Sequence, residues 1–596
     1  MAHLLVVGSP SIDILHFDNR TEKSAGGAGL YTALAARRSG CKVSMYGPKP
    51  DQIPELLKPL EGQLETWLGP LVSVEGIPHF EISHQGDKAT YLRFYVGEED
   101  RIDPLALPQD LSIYDAVHVT ALGKPEQSLN FVNVCHERNA KIISSGTFIN
   151  LIKENPDMVK KLIEKTDIFF LNEEEAIAIF GSHEKALTQP GKLLFITLGK
   201  KGALVIQGTF QTKLPSVPAN VLDPTGAGDT FCGATLSNLL LGTHPILAAK
   251  KAMTLASEEI SYIGPTALLL EQNVPDIPMD EKVGVDDNQI ERISVVIKNI
   301  PEAKPFDFIC DYHPPMNHPE TLDYFFAQTL QQFSFWEAKH NRYDYPLIAT
   351  IDGNHCKGST YLSYAYMRPL DNDPEFYSPK RQASTTRKET LALFRADDGT
   401  DPMPALDLHL SKAQDYGNDM LSMGFTPQAI IDQSNRSAKP LRTFISIMDQ
   451  IGGYKEDPFR KKTNLLALIL VERPEHFLRV LKNEEIQPII DYHAMRFCLR
   501  TGLVDIIDLQ FRSKVVNREL LTIGEEWVLR YACYVAIQKL IEVSGLSNGA
   551  VDNITFSYNR THCPEMTEPV CMECAIYPAC AHRKELFQPV IRTTFY

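Results

Sequence analysis

The first half of the chain alternates short apolar runs with amphipathic stretches. HLLVV, CKVSMYG, YDAVHVTA, AKIISSG, DIFFLN, KLLFITLG and GALVIQG are too short for helices and are bounded by Gly or polar residues, so each reads as a buried strand. Between them lie segments such as AGLYTALAARRSG, with apolar residues at helical spacing. Strand–helix alternation predicts a doubly wound parallel sheet with ligands at the C-terminal ends of its strands. HFEISHQGDKATYLRFYV departs from this rhythm with a period of two, which predicts a hairpin able to form a small β lid.

The alternation stops at TALLLEQNVPDIPMDEKVGVDDNQIERI. Scattered Pro, an acidic run and no apolar period predict a linker over 271–303 between a first domain at 1–270 and a second at 304–596. From TLDYFFAQTLQQFSFWEAK through ETLALFRA, KTNLLALILVE, EHFLRVLKN, DYHAMRFCLRTG and GEEWVLRYACYVAIQKLIEVSG, apolar residues recur at helical spacing. The fold class expected is multidomain: an α/β domain followed by an all-α domain with a C-terminal four-Cys loop.

The densest chemistry lies in VLDPTGAGDTF. Asp223 and Asp229 bracket a small-residue loop that opens the apolar run FCGATLSNLLLG, read as a helix with glycines in its first turn. Such an N-terminus presents N–H groups and a positive dipole end to an anion, and Asp229 beside it can take a proton. That pairing describes phosphoryl transfer from a nucleotide to an alcohol. At 596 residues the chain exceeds one core, and its net charge of −16 argues against a duplex DNA binder. The N-terminal apolar run is too short for a signal segment and no membrane span follows, so a cytoplasmic protein is expected. Four of the 11 cysteines crowd the last stretch as Cys563-x7-Cys571-x2-Cys574-x5-Cys580, which in a reducing compartment suggests a metal group, either [4Fe–4S] or zinc.

DPTGAGDTF, with the polar strand ends around it, resembles the ribokinase-like (PfkB) family of sugar and nucleoside kinases. The resemblance implies ATP and Mg²⁺ as cofactors and Asp229 as catalytic base. It further implies Gly226, Ala227 and Gly228 as anion hole, Asn172 and Glu175 as the N-x-x-E element near Mg²⁺ and phosphates, and Thr197 and Gly199 as nucleotide loop. Asp13 with Gly26 and Gly27 matches the acceptor-hydroxyl site. Ala28 stands where the family often has Asn, so one acceptor contact is expected to be missing, and the acceptor stays open between sugar and nucleoside.

The cysteine spacing is similar to the C-x6-C-x2-C-x5-C loop of the endonuclease III and MutY class of DNA glycosylases, which favours iron–sulfur over zinc. PIIDYHAMRFCLRTG places Asp491, His493, Arg496 and Arg500 where that superfamily carries its catalytic aspartate segment. The Gly hairpin that grips duplex DNA there is replaced by LILVERPEHFLRVLKNEEIQPIID, which has no glycine. Locally, HPETLDYFFAQTLQQFSFWEAK is similar to the queuosine-salvage nucleotide glycosidases, whose L-x-F-x-F-W stretch lines the site. These resemblances imply Asp491 as stabiliser of an oxocarbenium-like cation, with helix capping as its alternative role. They imply that Phe333, Phe335 and Trp336 either stack a base or pack a core.

The reading that joins these parts is a salvage enzyme. It phosphorylates a nucleoside of queuosine type and then hydrolyses the 5′-phosphate to free base. The expected partners are small nucleosides and nucleotides, with no duplex DNA, no membrane and an open oligomeric state. The alternative is a kinase fused to a non-catalytic nucleic-acid-binding or DNA-repair glycosylase-like iron–sulfur module.

Overall fold

The structure, a computed structural model, describes residues 1–17, 20–85, 88–271, 275–588 and 591–596. It divides into two compact units, Met1–Pro278 and Met279–Tyr596.

The first unit is built on nine strands in the spatial order Phe210–Leu214, Ala203–Gln207, Leu193–Thr197, Ile168–Asn172, Ile143–Gly146, Ala116–Val119, His3–Val7, Lys42–Tyr46 and Thr66–Leu68. Pairing is parallel from Leu193–Thr197 to Thr66–Leu68. The other edge is antiparallel, so the sheet is mixed where a wholly parallel one was expected. The cause is local: Gly199 and Gly202 hold positive φ, which folds KLLFITLG straight back onto GALVIQG. Period-two alternation sends Leu4 and Val6 into the core on one face and Leu5 and Val7 into the core on the other. Each side chain buried this way stabilises by roughly 1.5–3 kcal/mol.

A second sheet of four strands, Arg20–Gly26, Ser11–Phe17, His79–Gln85 and Lys88–Tyr95, matches the hairpin expected as a lid. Residues 86–87 lie outside the described residues. Asp13 sits within Ser11–Phe17, opposite Ser24, and so belongs to this smaller sheet.

The second unit is largely helical but not all-α. Trp336–Lys339 pairs with Arg342–Pro346, and Ile348–Ile351 pairs with Asn354–Lys357. The signal was present in TIDGNH, since Asp352 and Gly353 both take positive φ in the Asp-Gly turn that closes the second hairpin. EHFLRVLKN is also not helical. Helix Lys461–Glu472 ends on Arg473 in an extended conformation, which the following Pro474 enforces. The stretch read as a linker contains strand Val283–Val285, paired with Val504–Ile506, and helix Asp287–Ile297. Residues 272–274 of that stretch lie outside the described residues.

One buried ion pair ties this unit together. Arg530, on helix Ile523–Ser544, donates from both terminal nitrogens to Asp457 at 2.7 and 2.8 Å and from Nε to Ile490 O at 3.0 Å. Its guanidinium lies over the rings of Phe459 and Tyr596. Asp457 also accepts from the N–H groups of Phe459 and Lys461. With both partners out of water, Arg530→Met leaves a bare carboxylate and is expected to cost about 3–5 kcal/mol. Chemical denaturation followed by circular dichroism checks this, and an unchanged midpoint for the second unit would contradict it.

Candidate active sites

Helix Ala227–Leu240 starts at Gly226, whose φ of 83° is left-handed, and no side chain caps this end. A Cβ on Gly226 would stand 2.5 Å from the Tyr31 ring, so the loop tolerates only glycine there. The first turn, with Ala227 and Gly228, therefore keeps N–H groups to offer an anion. Asp229 occupies the third helical position, and burial raises its carboxyl to about 6.

Around this turn lies a set of acids. Asp223 is fully buried, and its Oδ1 accepts from His84 Nε2 at 2.8 Å and Thr225 N at 3.0 Å, while its Oδ2 accepts from Gly264 N at 2.9 Å. His84 Nε2 also lies 3.0 Å from Thr225 Oγ1, and its ring stacks on Phe17. Burial, with the charges of Asp223 and Asp229, pushes the Glu259 carboxyl well up. Asp13 is raised to about 7, first by burial. A Cβ on Gly26 would meet Asp13 Oδ2 at 1.9 Å, and Gly27, with φ 92°, starts helix Ala28–Arg38. Asp13, Gly26 and Gly27 thus share one corner. His84 and Glu259 were not singled out from sequence. The alternation of the lid strand, which turns Ile82 and His84 to the same buried side, is the signal that points to His84.

Asn172 and Glu175 form a reciprocal cap on helix Glu173–Phe180: Asn172 Oδ1 accepts from Glu175 N at 2.9 Å, and Glu175 Oε2 from Asn172 N at 2.8 Å. Burial raises Glu175 to about 8, and the Asp229 charge adds to this. Thr197 ends strand Leu193–Thr197, and Gly199 follows with φ 54° and open space beside it.

In the second unit a cavity of about 210 Å³ is lined by Asp491, Asp552, Lys461, Phe308, Phe335 and Tyr492, among others. Asp491 caps helix Tyr492–Thr501 through Oδ1, which accepts from His493 N at 2.8 Å and Ala494 N at 2.9 Å. Capping and cavity lining therefore coexist in one residue. Burial raises the Asp552 carboxyl to about 7; nearby Asp491 adds to the rise and Lys461 opposes it. Lys461 donates from Nζ to Gln332 O at 2.9 Å, and burial lowers its pKa. Sequence reasoning missed Asp552 and Lys461. Asp552, Phe556 and Arg560 recur every fourth residue on helix Asn548–Thr561, and all three line the cavity.

The aromatic residues divide. Phe335 lines the large cavity, and Trp336 lines a smaller one of about 10 Å³. Phe333 is buried against His409, ring centroids 4.3 Å apart, with Lys462 Nζ 5.0 Å from its ring centre. It lines neither cavity.

Cys563, Cys571, Cys574 and Cys580 all line one apolar cavity of about 40 Å³. Arg500 Nη1 stands 3.2 Å from Cys563 Sγ, and the His582 N–H donates to Cys580 Sγ at 3.3 Å. Burial raises Cys574, and lifts Cys580 to about 11, with the other thiols adding to both. Four sulfurs thus line one pocket, with a guanidinium and an N–H beside two of them. Among the described residues, no group of three or more His, Cys, Asp or Glu side chains is arranged to hold a single metal ion.

Residues 85–272 match the pfkB family carbohydrate kinases, and residues 312–465 match the Queuosine salvage protein family. A cytidine kinase of Thermococcus kodakarensis is 28% identical over 41% of this chain and 90% of its own length. A nucleoside kinase of Methanothermobacter thermautotrophicus is 25% identical over 46% of this chain and 92% of its own. Among solved structures, the Burkholderia thailandensis nucleoside kinase in complex with inosine matches with a TM-score of 0.39 and 18% identity, covering 46% of this chain and 94% of that one. With an ATP-using kinase signature on an uncapped helix in one unit and a salvage signature across the other, the chain carries a PfkB ribokinase-like kinase domain followed by a queuosine-salvage domain.

Proposed function

We propose that the two domains act in series on one nucleoside. The kinase domain phosphorylates the 5′-hydroxyl, and the salvage domain hydrolyses the resulting 5′-phosphate at its N-glycosidic bond. The observation that carries this reading is the second cavity, where Asp491, the Asp552 carboxyl with its raised pKa and aromatic walls face one space. A relative from Fructilactobacillus sanfranciscensis, named bifunctional ribokinase/ribose-5-phosphate isomerase A, gives a parallel in which a kinase shares a chain with an enzyme for a sugar phosphate.

In the first step Asp229 takes the proton of the acceptor hydroxyl as its oxygen bonds to the γ-phosphorus. First-turn N–H groups near Gly226, Ala227 and Gly228 stabilise the charge that develops on the phosphoryl oxygens. Asp13 orients the acceptor beside Gly26 and Gly27. Asn172 and Glu175 would help hold Mg²⁺, which would supply positive charge to the phosphates, and Thr197 and Gly199 would border the nucleotide. In the second step the Asp552 carboxyl gives its proton to the departing base nitrogen as the C1′–N bond breaks. The Asp491 carboxylate stabilises the ribosyl cation and takes a proton from the water that adds at C1′. Proton exchange between the two acids restores the starting state. Queuosine or a related 7-deazaguanine nucleoside is the favoured substrate. Cys563, Cys571, Cys574 and Cys580 would hold a [4Fe–4S] cluster rather than zinc, and such a group would fix the loop behind helix Tyr492–Thr501.

Incubation with ATP, Mg²⁺ and a panel of nucleosides, followed by mass spectrometry, tests the sequence of products. Free base after the 5′-phosphate is expected; a reaction that always stops at the phosphate removes the glycosidase half of the reading. Asp229→Asn is expected to slow phosphorylation by about 10²–10⁴-fold. Because its pKa is raised to about 6, the base form is lost as pH falls through that value, and kcat/KM should fall below it. The second step has the opposite dependence: the acid form of Asp552 is lost as pH rises through about 7, so base release should decline above it. Asp552→Asn should abolish that alkaline limb. Protein prepared without oxygen should carry iron and sulfide that Cys574→Ser loses, whereas stoichiometric zinc would overturn the cluster assignment.

A further inference from the structure

His84 reaches the loop 225–228 from the other sheet of the first unit. It lies on strand His79–Gln85 of the four-stranded sheet, whereas Asp223 and Thr225 precede helix Ala227–Leu240. The contact is sealed from water, the two side chains being 3% and 0% exposed. Asp223 Oδ1 accepts from Thr225 N and Oδ2 from Gly264 N, so both oxygens act as acceptors. The His84 Nε2 that stands 2.8 Å from Oδ1 therefore carries the ring proton and donates it.

The other ring nitrogen says what this histidine is for. Nδ1 is buried and has no hydrogen-bond partner among the described residues. Burying an unpaired polar atom is unfavourable, and an apolar ring stacked on Phe17 would avoid it. The imidazole thus serves its Nε2 contact rather than packing alone. Through that contact one strand touches two parts of the kinase site. It pairs with Ser11–Phe17, the strand of Asp13, and its Phe80 backbone lies against the Asp13 carboxyl. Four residues on, His84 grips Asp223, which in turn holds the N–H groups of Thr225 and Gly264.

We infer that His84 is a positioning residue for phosphoryl transfer, anchoring the anion-binding loop to the sheet that carries Asp13. Acceptor and phosphoryl group are then held in one frame. The inference rests on the proposed role of loop 225–228 in stabilising the transferring phosphoryl group. His84 touches no reacting atom and acts through Asp223. Without the Nε2 donor, Asp223 keeps only its backbone partners beside Glu259, and Thr225 and Gly226 lose their fixed position against Asp13.

Hydrogen–deuterium exchange of the full chain without ligand, read by mass spectrometry, tests the anchor. His84→Phe keeps a ring on Phe17 and removes the donor, and His84→Gln keeps an N–H at similar reach. With His84→Phe, exchange is expected to rise by about 10-fold or more in segments 79–85, 223–230 and 260–268, and to stay unchanged in Leu193–Thr197. His84→Gln should restore most of the protection. Unchanged exchange in 223–230, or equal exchange in the two variants, overturns the anchor. With MgATP and a panel of ribonucleosides, His84→Phe should lower kcat by about 10–100-fold, the usual worth of a hydrogen bond to a charged group, at a nearly unchanged KM for ATP. A raised KM for ATP at unchanged kcat would make His84 a ligand contact and overturn the positioning role. If exchange rises as expected while Asp229→Asn phosphorylates as fast as wild type, the anchor stands and the proposed role of the loop fails. Melting curves of the variants check that the fold is intact.

Discussion

The second unit depends on an ion pair sealed away from water. Asp457 and Arg530 are each about 1% exposed, a placement that costs several kcal/mol per ion unless every lone pair and proton is satisfied. Here they are satisfied by the pair itself, two backbone N–H groups and the Ile490 carbonyl. The pair fixes the start of helix Lys461–Glu472 on one side and the residue before Asp491 on the other. Lys461 and Asp491 are therefore set relative to one another by a contact outside the cavity they line. A cavity of this volume is compatible with a close-packed protein only where such a frame resists collapse.

The two units solve the problem of charge in opposite ways. In the second, buried arginines such as Arg530, Arg460, Arg473 and Arg496 are paired with carboxylates. In the first, acids accumulate at one site: Asp13, Asp229, Glu175 and Glu259 all have raised pKa values, chiefly because burial disfavours the ion. Asp223 is the one acid in that group supported by a histidine and two backbone donors. A site crowded with acids whose charge burial disfavours is poised to take up positive charge together with an anionic ligand, as phosphoryl transfer requires.

Much of the first unit was legible because its signals are local. Short apolar runs, Gly-bounded turns and the DPTGAGDTF loop each specify their own geometry within a few residues. What escaped was pairing at a distance: His84 reaches Asp223 across the chain, and nothing adjacent in sequence announces Glu259 as its neighbour. In the second unit, helical spacing located most helices but concealed the hairpin at Asp352-Gly353 and the break at Pro474. The candidate site was half visible. Asp491 announced itself by motif, whereas Asp552 and Lys461 are ordinary helix residues until folding brings their helices to one cavity. Phe333 shows the limit of local pattern, since its neighbour Phe335 reaches the cavity while Phe333 turns to His409.

The strand Val283–Val285 has a consequence for how the protein is made. Its partner, Val504–Ile506, lies far along the chain, and Gln289 in the following helix bonds to the carbonyls of both Thr501 and Ala579. During synthesis the kinase unit can close while these groups still wait for residues not yet translated. Long-range closure of this kind is slow, and until it happens Ile290, Ile293 and Ile297, buried in the finished core, have nothing to cover them. The entry segment of the second unit is thus exposed to aggregation on the ribosome until its distant partners are made.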